Sequence, residues 1–103
     1  TSIKEKDMRP SEALFHNRAL IHTLVSRYKS TNPRIFGSVA KAKDTENSDL
    51  DLLVDTLPGA TLFDLGELQV CLEEALGVPV DLLTPGDLPE ELRSLILKQA
   101  IPV

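Results

Sequence analysis

The chain has 103 residues, of which 42% are hydrophobic and 26% charged, the make-up of one globular domain with a small core and no length for a separate substrate domain. A lone cysteine, Cys71, excludes a disulfide framework and a cysteine-built zinc site; no apolar run nears the roughly 20 residues of a membrane span, and no basic-then-apolar leader opens the chain. Lys and Arg number 11 against 16 Asp and Glu, a net charge of −5, with 4% aromatic residues and no Trp, which disfavours independent binding of a nucleic-acid strand. The expectation is a single cytoplasmic domain over residues 1–103 with no membrane partner.

A first helix is expected from Pro10–Ser11 to about Lys29, because Leu14, Ile21, Leu24, Val25 and Tyr28 recur on one stripe and proline suits a first turn. The cluster Ser30-Thr31-Asn32-Pro33 should stop it. A short strand, Arg34–Phe36, then runs into Gly37-Ser38 and a helical turn. The clearest strand is Asp49–Asp55, which alternates: Leu50, Leu52 and Val54 take one face, and Asp49, Asp51, Leu53 and Asp55 take the other. After the Pro58-Gly59 turn, Thr61 and Asp64 form a capping box. Leu65, Leu68, Leu72, Ala75 and Leu76 then mark a helix that Gly77 ends. Val78–Thr84 reads as a third strand, with Pro79 pointing to an edge or a first-residue position. A last helix from Leu88 to Ala100 should bury Leu92, Leu95 and Ile96. The fold class is therefore α/β or α+β: a mostly three-stranded mixed sheet covered by helices.

Two features carry chemistry. Gly37-Ser38-Val39-Ala40-Lys41 lies between a strand and a helical turn, where glycine lets backbone N–H groups converge on an anion and a serine hydroxyl can donate to phosphate. Asp49 and Asp51, two apart on a strand, point the same way, and their mutual repulsion is relieved by a divalent cation such as Mg²⁺, which takes one or two carboxylates plus phosphate oxygens. Asp81 lies in an apolar strand where an unpaired carboxylate is costly. In the right register it joins Asp49 and Asp51, and three such acids can hold two metal ions that clamp the oxygens of an in-line phosphoryl displacement.

The charge is also divided. Residues 1–43 hold nine Lys/Arg against three Asp/Glu, a net of +6, and residues 44–103 hold two against thirteen, a net of −11. A basic wall facing a carboxylate cluster suits a polyphosphate carrying a divalent metal, although most of these charges belong to solvated faces.

Gly37-Ser38, ten intervening residues, Asp49-Leu50-Asp51 and the downstream Asp81 resemble the nucleotidyltransferase superfamily related to DNA polymerase β. More narrowly, the chain is similar to the minimal nucleotidyltransferases of prokaryotic toxin–antitoxin pairs, the MntA-type antitoxins. The likeness takes in Arg9–Leu14, Asn32–Ala40, Ser48–Val54, Val80-Asp81-Leu82 and Leu92. It implies that Gly37, Ser38 and Lys41 bind the nucleotide, that Asp49, Asp51 and Asp81 hold Mg²⁺, two ions in all, and that Asp81 takes the proton of the incoming hydroxyl. It also implies transfer of AMP from ATP to a hydroxyl of a partner protein, a HEPN-type ribonuclease toxin. The rival is a non-catalytic antitoxin that neutralises its partner by occlusion. The family often has Arg-Gly where this chain has Lys41-Ala42: Lys41 lacks the planar fork of arginine, and Ala42 reaches positive φ less easily than glycine. The polar segment Lys43–Asn47 is expected to be a mobile loop over the phosphates.

Other chemically able residues read as bland. His16 and His22 are six apart on one helix and form no one-face metal pair. Cys71 is expected to be a small buried hydrophobe, Asp55 a turn or cap residue, and Arg34 an exposed cation at a strand edge.

Overall fold

The computed structural model describes residues 9–103; the first eight residues of the expected single domain lie outside the described residues. In chain order it contains α1 (Pro10–His16), α2 (Arg18–Arg27), β1 (Ser30–Phe36), α3 (Gly37–Ala40), β2 (Leu50–Thr56), α4 (Leu62–Leu76), β3 (Val80–Leu83), a 3-10 turn (Pro85–Asp87), α5 (Glu90–Gln99) and β4 (Ile101–Pro102). The strands form one mixed sheet in the order β3-β2-β1-β4. β1 is antiparallel to both β2 and β4, whereas β2 and β3 are parallel and are joined by the α4 crossover that such a pair requires.

Alternation along β2 sets the core. Leu50, Leu52 and Val54 are fully buried and cluster with Ile35 and Val80 of the neighbouring strands. Ile21, Leu24 and Val25 of α2 close over them together with Leu68, Leu72 and Leu76 of α4. The expected capping box starts α4: the Thr61 hydroxyl accepts from the Asp64 amide at 3.3 Å, and the Asp64 carboxylate accepts from the Thr61 amide at 2.9 Å. Gly77 ends the helix in the left-handed conformation. Glu73, one turn earlier, accepts the Val80 amide at 3.0 Å and so ties the helix to the first residue of β3. β3 is an edge strand, which is where Pro79 is tolerated.

Several elements differ from the sequence pattern for identifiable reasons. The expected first helix is two helices, broken at Asn17, whose side-chain amide donates to the Ala13 carbonyl at 2.8 Å and competes with the backbone ladder. β1 begins at Ser30, inside the cluster expected to be a loop, because an irregularity between Thr31 and Arg34 absorbs Pro33, which has no N–H to offer the ladder. α5 buries none of its residues: Leu92 and Leu95 are 47% and 51% exposed, contrary to their expected place in the core. β4 extends the expected three strands to four. At two residues it is too short to show an alternation. Among the described residues no helix is long and apolar enough to cross a membrane.

Candidate active site

The face of β2 opposite the core carries Asp51, Leu53 and Asp55. Leu53 is nevertheless fully buried, because the 3-10 turn packs against β2 on the way to the buried Leu88. Leu88 is thus a core residue. Asp51 pairs in register with Asp81 across β2–β3 and with Phe36 across β1–β2. The two carboxylate-bearing residues therefore share one rung of the sheet, and the strand ending at Phe36 delivers Gly37 beside them. Asp49 lies just before β2 and is exposed, as is Asp81.

Asp51 is the electrostatic centre of this cluster. Burial, then the neighbouring Asp81, then Asp49 raise its carboxyl from the ordinary 3.8 to about 6. The donor set is entirely oxygen, which suits a hard divalent cation, and the repulsion that raises Asp51 is what such a cation relieves. Among the described residues, no group of three or more His, Cys, Asp or Glu side chains is placed to hold a metal ion by itself.

Gly37 adopts φ of +70°, and a Cβ at this position would collide with Asp51 Oδ2. Glycine is therefore required twice, for the backbone conformation and for the carboxylate's approach. Ser38 follows, half-buried, on the single turn of α3. That turn ends in a Schellman-type closure: the Ala42 amide donates to Val39 O at 3.1 Å, and the Lys43 amide donates to Ser38 O at 2.9 Å. Ala42 occupies the left-handed position of the motif with φ of +57°, where glycine is the usual residue. The exposed Lys41 sits at the end of α3.

The segment beyond is anchored, contrary to the expectation of a mobile loop over Lys43–Asn47. Asp44 is buried, with 8% exposure, and accepts the Ser11 amide of α1 at 2.9 Å. Burial pushes its carboxyl upward, but the Ser11 amide and hydroxyl outweigh that effect and hold it below the ordinary carboxylate range. Thr45 and Ser48 close the rest into a turn: the Thr45 amide donates to Ser48 Oγ at 2.9 Å and the Ser48 amide to Thr45 O at 3.0 Å. In the sequence Asp44 is one polar residue in a polar run, so nothing there marks it for burial.

Arg34 lies on the carboxylate face and is not an exposed edge cation. Its guanidinium is held 3.2 Å from Asp55 and donates to Asn32 O at 2.8 Å, and Asp55 also accepts from the Asn32 amide group at 3.0 Å. Asp55 is thereby committed to structure, at a distance from Asp51 along the strand. Cys71 is half-buried with its sulfur 3.3 Å from the Tyr28 hydroxyl. His16 is exposed, and His22 meets the Val103 carbonyl at 3.0 Å; among the described residues neither belongs to a group of three or more side chains that could hold a metal ion. An apolar depression lined by Leu62, Phe63, Val70 and Cys71 lies along α4, apart from the carboxylates.

Known proteins resemble this chain in sequence and in fold. A Methanocaldococcus jannaschii protein provisionally named a protein adenylyltransferase is 44% identical over 69 residues, covering 67% of this chain and 74% of its own. A solved structure provisionally described as a minimal nucleotidyltransferase superposes with a TM-score of 0.81 at 41% identity, over 90% of this chain and 95% of its own. A toxin–antitoxin solved with AMP-PNP gives a TM-score of 0.70 at 25% identity, over 84% of this chain and 71% of its own. The model of the nucleotidyltransferase domain matches residues 18–103, a span that holds the glycine–serine turn and all three carboxylates, and the chain belongs to that family.

Proposed function

We propose that this chain is a single minimal nucleotidyltransferase domain that transfers AMP from ATP to a hydroxyl of a partner protein, as the antitoxin of a cytoplasmic toxin–antitoxin pair whose toxin is a HEPN-type ribonuclease. The observation that carries the reading is the shared rung of Asp51 and Asp81 beside Gly37, with Asp49 close enough to raise the Asp51 carboxyl. The names of the adenylyltransferase relative and of the AMP-PNP-bound toxin–antitoxin support the choice of nucleotide, acceptor and partner.

In this reading Gly37 and Ser38 hold the β and γ phosphates, and Lys41 supplies a positive charge at the end of the same turn. Asp49, Asp51 and Asp81 would hold Mg²⁺, with two ions as the expected number, since Mg²⁺ commonly takes one or two carboxylates together with substrate phosphate oxygens and water. The bound metal supplies charge stabilisation for the phosphates. Asp81, exposed at the sheet edge, accepts the proton of the partner's hydroxyl as its oxygen bonds to the α-phosphorus and pyrophosphate departs. Occlusion without chemistry remains the competing reading, but it gives no reason for three acidic residues to gather on one face. The chain is incubated with α-labelled ATP, Mg²⁺ and the HEPN-type partner. Label on a Tyr, Ser or Thr of the partner supports transfer, and neutralisation of the partner without any label overturns it.

A further inference from the structure

The return path from the phosphate-side turn is fixed by a residue that the reading above does not use. We propose that Asp44 is a positioning residue: its buried carboxylate clips the chain leaving the Gly37-Ser38 turn to the first turn of α1, and so holds that turn in its nucleotide-binding shape. This rests on the nucleotide reading proposed above.

Four observations connect the clip to Ser38. Asp44 has 8% exposure, while its sequence neighbours Lys43 and Thr45 are exposed. A carboxylate is therefore drawn out of solvent where the segment meets α1, and that is tolerated only where a donor meets it. The donor is the Ser11 amide, which lies in the first turn of a helix and has no intrahelical acceptor of its own. The anchor is firm, because Pro10, Ala13 and Leu14 of α1 are all buried. Finally, the residue before Asp44 donates its amide to the Ser38 carbonyl at 2.9 Å. The path from α1 to Ser38 thus runs through Asp44 and Lys43 by two hydrogen bonds and one peptide link. It passes beside Ala42, whose left-handed conformation is unfavourable for a residue with a side chain. Without the clip, the segment is free to relax Ala42 and carry Ser38 with it. The fraction of molecules ready to bind then falls, and apparent affinity falls by the same factor.

The test uses the full chain with AMP-PNP and Mg²⁺, measured by calorimetry well below the unfolding temperature, together with hydrogen exchange at the Ser11 amide. Asp44→Ala is expected to weaken AMP-PNP binding by about three- to tenfold and to speed exchange at Ser11. Asp44→Asn keeps a carbonyl oxygen for the Ser11 amide and is expected to recover affinity to within about twofold of the parent. Should Asp44→Ala fail to fold, Ser11→Pro removes the Ser11 amide and hydroxyl donors together, in the first turn of the helix where the lost N–H has no intrahelical acceptor, with a loss of affinity at least as large. If the parent binds AMP-PNP and a folded Asp44→Ala or Ser11→Pro variant binds it equally well, the positioning role is overturned and the nucleotide reading stands. If Asp44→Asn binds as weakly as Asp44→Ala, the hydrogen bond is not the agent and the proposal fails. A parent that binds no AMP-PNP overturns the nucleotide reading and the positioning role together, whatever the exchange rate at Ser11.

Discussion

Gly37 leaves vacant the space that the carboxylate of Asp51 enters: a single methyl group on Gly37 would lie on top of Asp51 Oδ2. Gly37→Ala therefore meets two penalties. The left-handed conformation at φ of +70° costs an alanine roughly 1–2 kcal/mol, and Asp51 must also swing away from its rung. Urea unfolding should register the first penalty, and AMP-PNP titration in Mg²⁺ should register a further loss of binding. Parent-like behaviour in both measurements would refute the close approach.

Asp51 makes metal-free stability depend on pH. Its carboxyl ionises near 6 in the folded chain against the ordinary 3.8, so between these values the native state keeps a proton that the unfolded state has released. Stability consequently falls as pH rises from about 4 to about 6, and the deficit persists above that window. Asp51→Asn should abolish that slope and stabilise the metal-free protein at pH 7 by about 1 kcal/mol, allowing for solvent screening of a partly exposed group. The same variant should lose AMP transfer. Denaturant melts across the pH range, in chelator, check the first part. An unchanged slope in the Asn variant would count against Asp51 as its source.

Ala42→Gly should stabilise the protein. Glycine at the left-handed position of the closure that ends α3 removes a cost of roughly 1–2 kcal/mol, offset in part by the greater backbone freedom of glycine in the unfolded chain. A net gain of about 1 kcal/mol is expected in urea melts. A loss of stability would mean that Ala42 makes contacts worth more than the strain.

Ser38→Ala should leave the fold alone and weaken nucleotide binding. Loss of a hydrogen bond to a charged phosphate corresponds to roughly 1.5–3 kcal/mol. Calorimetry with AMP-PNP and Mg²⁺ gives the figure directly; parent-like affinity would put the phosphates elsewhere.

The parts of the site visible in the sequence were those with a local signature. Period-two alternation in Leu50–Val54 fixed which face Asp51 takes, and the apolar setting of Asp81 marked its strand as buried on one side. Register is a non-local property, and the Asp51–Asp81 rung is set only by the docking of β3 on β2. Asp44 was illegible because its burial depends on where α1 begins relative to a segment far along the chain. The leucines of α5 misled in the opposite direction: a helical apolar stripe records that a face is apolar, not that anything in the fold covers it. Asn17 hid the break in the first helix because the hydrophobic stripe continues on both sides of it.

The parallel pairing of β2 with β3 has a further consequence for the order in which the cluster comes into being. Gly37, Ser38, Asp49 and Asp51 are carried by consecutive strands that close on one another over a short stretch of chain, whereas Asp81 arrives only after α4 has formed and packed across the sheet. Long-range pairing of this kind carries a larger closure entropy. An edge strand of four residues is also the natural place for the native sheet to open first. A molecule with β3 detached would retain the glycine–serine turn and two acidic groups while lacking the third, and Asp51 would be relieved of one of its two acidic neighbours. Amide exchange in Val80–Leu83 should therefore report openings of lower free energy than exchange in Leu50–Val54, and a ligand that bridges Asp51 and Asp81 should slow the former more than the latter.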